Sequence, residues 1–126
     1  MAYYPDLSPY SYDADDREML NVGWLSRDHP YATGVAPEGL VEALEELARR
    51  AENVQRGMHF CELCPDFPTA RQNTSRGNIF IGSGEIYVPN GEGITYASPA
   101  MIVHYVADHS YLPPEDYCRS VLDKSS

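Results

Sequence analysis

The clearest alternation of apolar and polar positions along the chain begins at Pro37, where Leu40, Val41, Leu44, Leu47 and Ala48 recur at helical spacing. Glu42, Glu45, Glu46, Arg49 and Arg50 fill the opposite face, and Pro37 suits a first helical turn. The pattern predicts an amphipathic helix over residues 37–52, with its charged stripe facing solvent. Before it, residues 1–36 carry Pro5, Pro9 and Pro30 and little periodicity. They read as an extended, aromatic-rich arm that wraps the domain, with one strand near Leu20 to Leu25.

Downstream, Pro65, Pro68 and the polar run from Arg71 to Arg76 read as loop. Ile79 to Ile81, Glu85 to Val88 and Ile94 to Tyr96 then form short apolar runs. Gly82-Ser83-Gly84 and Pro89-Asn90-Gly91-Glu92-Gly93 separate them, which predicts an antiparallel three-stranded meander. Gly82-Ser83-Gly84 has no following helix or lysine and so is a turn rather than a phosphate cradle. Ser98 and Pro99 suit the start of a helix carrying Met101, Ile102, Tyr105 and Val106, stopped before Pro113-Pro114. A last short helix is expected over Glu115 to Leu122. The fold expected is α+β: a small antiparallel three-stranded sheet with two to three helices, in a single domain spanning residues 1–126.

The chemistry enters with Cys61-Glu62-Leu63-Cys64, a Cys-x-x-Cys knuckle, followed by His104 on the helix expected after Ser98-Pro99 and His109 close to that helix's end. Two thiolates and two imidazoles form a ligand set that tetrahedral zinc accepts and that alkaline-earth ions do not. Knuckle, strands, then a histidine-bearing helix is the order in which zinc-finger and treble-clef modules assemble their ligands. His104 and His109 stand five apart, about 140° around a regular helix, so both face one ion only if the helix ends or tightens before His109. His59, two residues before Cys61, shares its face in an extended segment and competes for the fourth position. The expected metal ligands are Cys61, Cys64, His104 and His109, with His59 in reserve, and the expected cofactor is Zn2+.

Three alternatives bear on the same residues. Thiol exchange requires the first cysteine at the start of a helix, which Pro68 and the polar loop disfavour. A small zinc-dependent hydrolase requires an open coordination position and a base such as Glu62 or Glu85, but the chain lacks His-Glu-x-x-His and the deaminase pairing of His-x-Glu with Pro-Cys-x-x-Cys. Simple burial of the thiols is the third. Cys118, in the last helix, reads as a small buried hydrophobe, and His29 receives no role.

Nineteen acidic against nine basic side chains leave a formal charge of −10, a field that repels phosphate backbones and anionic lipid. Direct nucleic-acid binding is disfavoured, whereas a basic protein partner is favoured. There is no apolar run of membrane-spanning length, and the amino terminus lacks a basic region and an apolar signal core, so a cytoplasmic location is expected. Three cysteines, two closely spaced, suit a reducing compartment. Ten tyrosines are many for this length, and Tyr3, Tyr4, Tyr10, Tyr12 and Tyr31 crowd the first segment, as packing or as a recognition surface.

Leu20-Asn21-Val22-Gly23-Trp24-Leu25, His29-Pro30-Tyr31, the knuckle at His59 to Cys64, and the run His104-Tyr105-Val106 through His109, Tyr111 and Pro113-Pro114 together resemble a family of small, uncharacterised bacterial proteins. The resemblance spans most of the chain and implies metal binding through the same cysteines and histidines, with no activity attached. The functional expectation is a non-enzymatic, zinc-binding protein-interaction domain, of the kind an acidic immunity or antitoxin-like protein or a regulator would use.

Overall fold

The computed structural model describes residues 3–9, 18–51 and 60–125. Its elements are β1 (Glu18–Asn21), α1 (Leu40–Ala48), α2 (Phe67–Gln72), β2 (Ser75–Arg76), β3 (Ile79–Phe80), β4 (Glu85–Pro89), β5 (Ile94–Pro99), α3 (Ile102–Asp108) and α4 (Glu115–Ser125). The class is α+β, with a three-stranded sheet in the order β1-β5-β4 and a separate two-stranded sheet formed by β2 and β3.

The three-stranded sheet is mixed rather than wholly antiparallel. β4 and β5 form the expected hairpin, with Val88 opposite Tyr96 and Tyr87 opposite Ala97. Its turn is held by the Asn90 carboxamide oxygen, which accepts from the Glu92 and Ile94 amides. The third strand, however, is β1, running parallel to β5 with Leu20 beside Tyr96. A parallel pair needs a long crossover, here everything between the two strands, and local turn signals carry no trace of it.

Residues 79–81, expected as the first strand of a meander, instead supply β3, which pairs back onto β2. Thr74 accounts for this: its carbonyl accepts from both the Ile81 and Gly82 amides, turning the chain away from β4. Gly82 is confined by the same arrangement, since a Cβ there would stand 2.8 Å from the Phe80 ring and 2.9 Å from Thr74. Gly82-Ser83-Gly84 therefore links two sheets and is not a hairpin turn.

Helix boundaries also shift. α1 starts at Leu40, because Gly39 sits at φ +84° and breaks the turn begun at Pro37. Ser98 and Pro99 remain in β5, where they pair with Ile86 and Glu85, and α3 begins only at Ile102. The segment after the knuckle, read from its prolines as loop, contains α2. Asp66 caps it by accepting from the Thr69 amide at 2.8 Å, and Pro68 occupies the first turn, where a missing N–H costs nothing.

The core lies between α1, α3 and α4 and the inner face of the larger sheet. Leu40, Leu44, Val22, Val88, Ile102, Val103, Tyr117 and Val121 are buried there. Residues 3–9 run alongside this body, with Tyr4 bridged to Trp24 and Pro9 to Leu20. Asp6 fastens them, accepting from the Gly23 amide at 3.0 Å and from the buried Tyr111 hydroxyl at 2.7 Å. Among the described residues no helix is long and apolar enough to cross a membrane.

Candidate metal centre

Cys61 and Cys64 lie in the turn that precedes α2, His104 lies within α3, and His109 lies just past its end. The geometric objection to two histidines five apart is met by the termination of that helix. α3 stops at Asp108, and His109 adopts φ −122° and ψ 13°, outside the helical phase. Ser110 follows at φ +56°, and the amides of His109 and Tyr111 both donate to the Tyr105 carbonyl, which folds the chain end back.

One ligand atom from each of Cys61, Cys64, His104 and His109 lies within 4.8 Å of the others. His109 Nε2 is 3.4 Å from Cys61 Sγ and 3.8 Å from Cys64 Sγ, and His104 Nε2 is 3.3 Å from Cys64 Sγ. The two imidazole Nε2 atoms are 3.1 Å apart. Tetrahedral zinc, with bonds of about 2.3 Å to sulfur and about 2.0–2.1 Å to nitrogen, requires separations of about 3.6 Å for sulfur to nitrogen and about 3.3 Å for nitrogen to nitrogen. These four separations are close to those values, and the cluster could hold a metal ion. His59, the reserve ligand, lies outside the described residues.

Neighbouring groups orient these atoms. His104 Nδ1 is 2.8 Å from Asp108 Oδ2, so Nδ1–H donates to the carboxylate and the Nε2 lone pair is left facing the cluster. Asp108 is in turn held by Arg76, whose Nη1 is 3.6 Å away and whose Nε donates to Glu45 at 2.7 Å. Asn73 Nδ2 approaches Cys64 Sγ at 3.5 Å. The Leu63 and Cys64 amides hydrogen-bond to the Cys61 sulfur. Arg27 braces the knuckle from outside: Nε donates to the Glu62 carbonyl at 2.8 Å and Nη2 reaches the Cys64 carbonyl at 3.4 Å.

Burial sets the electrostatics. Cys61, Cys64 and His104 are only 2%, 3% and 2% exposed, which leaves His109 as the most accessible of the four. Burial pushes the Cys61 thiol up, reinforced by neighbouring Cys64 and opposed by the two amides. It pushes His104 down against the pull of Asp108, and His109 down together with its neighbour His104. Both imidazoles are therefore neutral and available as lone-pair donors near neutral pH. A buried sulfur that resists ionisation alone, as Cys61 does, is one that a divalent cation would convert to a thiolate.

The family description for residues 2–122 matches nearly the whole chain. The chain belongs to DUF7919, a domain of unknown function. No curated protein and no solved structure matches it. In this DUF7919 chain the cluster could hold a metal ion, and the residues that sequence reasoning passed over are its supports. Asp108 had a signal, because it stands four residues after His104, a spacing that places two helical side chains together. Arg27, Asn73 and Arg76 had none, since each reaches the site through tertiary packing.

Of the two glutamates weighed as catalytic bases, Glu62 accepts from the Arg27 amide at 3.2 Å. Glu85 is buried on β4 and accepts from the Tyr87 hydroxyl. His29 Nδ1 is 2.7 Å from Ser26 Oγ, a local contact three residues long, and Cys118 is buried in α4.

Proposed function

We propose that Cys61, Cys64, His104 and His109 bind one Zn2+ as a closed structural site that joins the knuckle to the end of α3, within a single zinc-stabilised domain that works by binding another protein. The observation that carries the metal reading is the agreement of four donor-atom separations, 3.3 to 3.8 Å for sulfur to nitrogen and 3.1 Å between nitrogens, with tetrahedral coordination. The soft sulfur and imidazole set favours zinc over magnesium or calcium. The Asp108 carboxylate supplies the outer support that zinc-ligating histidines ordinarily have.

Closure supports a structural over a hydrolytic role. Four protein ligands leave no coordination position for water, and both glutamates weighed as bases are engaged elsewhere. The interaction half of the reading rests on the formal charge of −10, which attracts basic protein surfaces and repels nucleic acid, in a cytoplasmic setting where thiols stay reduced.

The test is metal analysis of protein purified without added metal, followed by cobalt substitution. One zinc per chain, with a cobalt spectrum of tetrahedral two-sulfur coordination lacking exchangeable water, is expected. An open position would transfer the reading to the hydrolase alternative. Metal-free protein with two titratable thiols would overturn it.

A further inference from the structure

The tyrosine-rich first segment builds a site of its own. A cavity of about 200 Å³ is lined by Tyr3, Tyr4, Asp6, Leu25, Pro30 and Tyr31 among others, and by neither cysteine of the knuckle. The three tyrosines are partly buried, so their rings are held yet remain reachable. Tyr3 is stacked on His29 with centroids 3.7 Å apart, Tyr4 meets Trp24 edge-on at 5.6 Å, and Tyr31 meets Tyr111 edge-on at 6.1 Å. Tyr31 is also fixed by its hydroxyl, which donates to the His109 carbonyl at 3.0 Å.

Asp6 gives this cavity its sign. Its two oxygens take neutral donors, the Gly23 amide and the Tyr111 hydroxyl, and among the described residues no arginine or lysine pairs with it. These neutral donors fix the carboxylate in place without pairing it to a basic side chain. Aromatic faces add to that attraction, because a cation within about 6 Å of a ring centroid is drawn by the ring quadrupole. Cations from solution are in addition steered toward a chain whose formal charge is −10.

We propose that this cavity is a docking pocket for one cationic side chain, an arginine or an alkylated lysine, presented by a basic partner protein. Its size favours that occupant over a free small molecule. About 200 Å³ is below the roughly 300–1,000 Å³ of ordinary small-molecule sites, and it suits the tip of one side chain with its apolar stem against Leu25 and Pro30. Rigid tyrosines around a charged anchor are also what protein-recognition surfaces favour. The proposal rests on the interaction half of the functional reading and not on the metal.

The experiment is an NMR titration of the 126-residue chain, its metal content measured beforehand, with four probes. These are two short, otherwise uncharged peptides, one carrying a trimethyl-lysine and one an arginine, together with choline and 3,3-dimethylbutanol as the neutral isostere of choline. Saturable shifts confined to Tyr3, Tyr4, Tyr31 and their neighbours are expected with at least one peptide. The neutral isostere should bind at least 10-fold more weakly than choline. Tyr3→Phe should retain peptide binding, whereas Tyr3→Leu should weaken it at least 5-fold, with zinc content and the remaining spectrum unchanged.

Equal binding of choline and its neutral isostere, or no saturable shift with any cation, overturns the proposal. Tighter binding of choline than of either peptide overturns the assignment to a partner protein. Loss of zinc without loss of peptide binding would damage the metal reading alone.

Discussion

His104 and Asp108 are joined across one turn of α3, with Nδ1 2.8 Å from Oδ2, while the opposite nitrogen of the same ring faces Cys64 Sγ at 3.3 Å. The carboxylate thus selects the tautomer in which Nε2 has a free lone pair. Asp108→Ala should keep one zinc per chain at saturation but lower its affinity by about 10–100-fold, the usual effect of removing such a support. Competition with a chromophoric chelator measures this, and an unchanged affinity would show that the contact does not orient the ligand.

Removing both sulfurs should remove the metal and loosen the fold together. A closed zinc site in a small module contributes on the order of 10 kcal/mol, comparable to the whole net stability of a domain. Cys61→Ser with Cys64→Ser is expected to abolish zinc retention and lower Tm by about 10 °C or more. Calorimetry beside metal analysis checks it; full zinc occupancy in the double variant would eliminate the assignment.

Arg27 tests the brace on the knuckle. Its guanidinium spans the carbonyls of Glu62 and Cys64, at 2.8 and 3.4 Å, through two different nitrogens. Arg27→Ala should weaken zinc binding by about 10-fold, and Arg27→Lys should not restore it, because an ammonium group cannot reproduce the planar fork. Zinc affinities of the three proteins, measured side by side, decide the point.

The metal-free protein should be most stable between the ordinary histidine and thiol pKa values, 6.5 and 9.0. His104 and His109 are lowered in the folded chain, so unfolding takes up protons as pH falls below 6.5, and stability drops on that side. Cys61 is raised, so the unfolded thiol ionises first above 9.0, and stability drops on that side also. Zinc should abolish the alkaline loss, since bound sulfurs are already deprotonated. Urea midpoints across pH, with and without zinc, report both limbs; a flat metal-free profile would contradict the burial of these groups.

Gly23 links the first segment to α3 and leaves no room for a side chain. It has φ +83°, and a Cβ would stand 2.6 Å from Ile102 Cδ1. Backbone strain and overpacking together predict a loss of about 2–4 kcal/mol for Gly23→Ala. Chemical denaturation of the zinc-loaded variant measures it, and a cost under about 1 kcal/mol would mean that Ile102 moves aside.

Sequence by itself determined the ligand candidates and the local elements whose signals are short-range. The period of Leu40, Leu44 and Leu47 located α1, Asn90-Gly91 located the β4–β5 turn, and the Cys-x-x-Cys spacing with its two later histidines named the four side chains that cluster. The helix and the turn are encoded within a few residues, where helical phase and turn geometry are read directly, and the ligands are named by residue type and spacing. Tertiary structure alone decided that β1 is the third strand, parallel to β5, and that residues 79–80 pair with β2. It also decided that α3 ends in time for His109 to face His104, and that Arg27 and Arg76 brace the site. These outcomes depend on pairings between segments distant along the chain, whose free energy comes from burial and hydrogen bonds that exist only once the core has assembled.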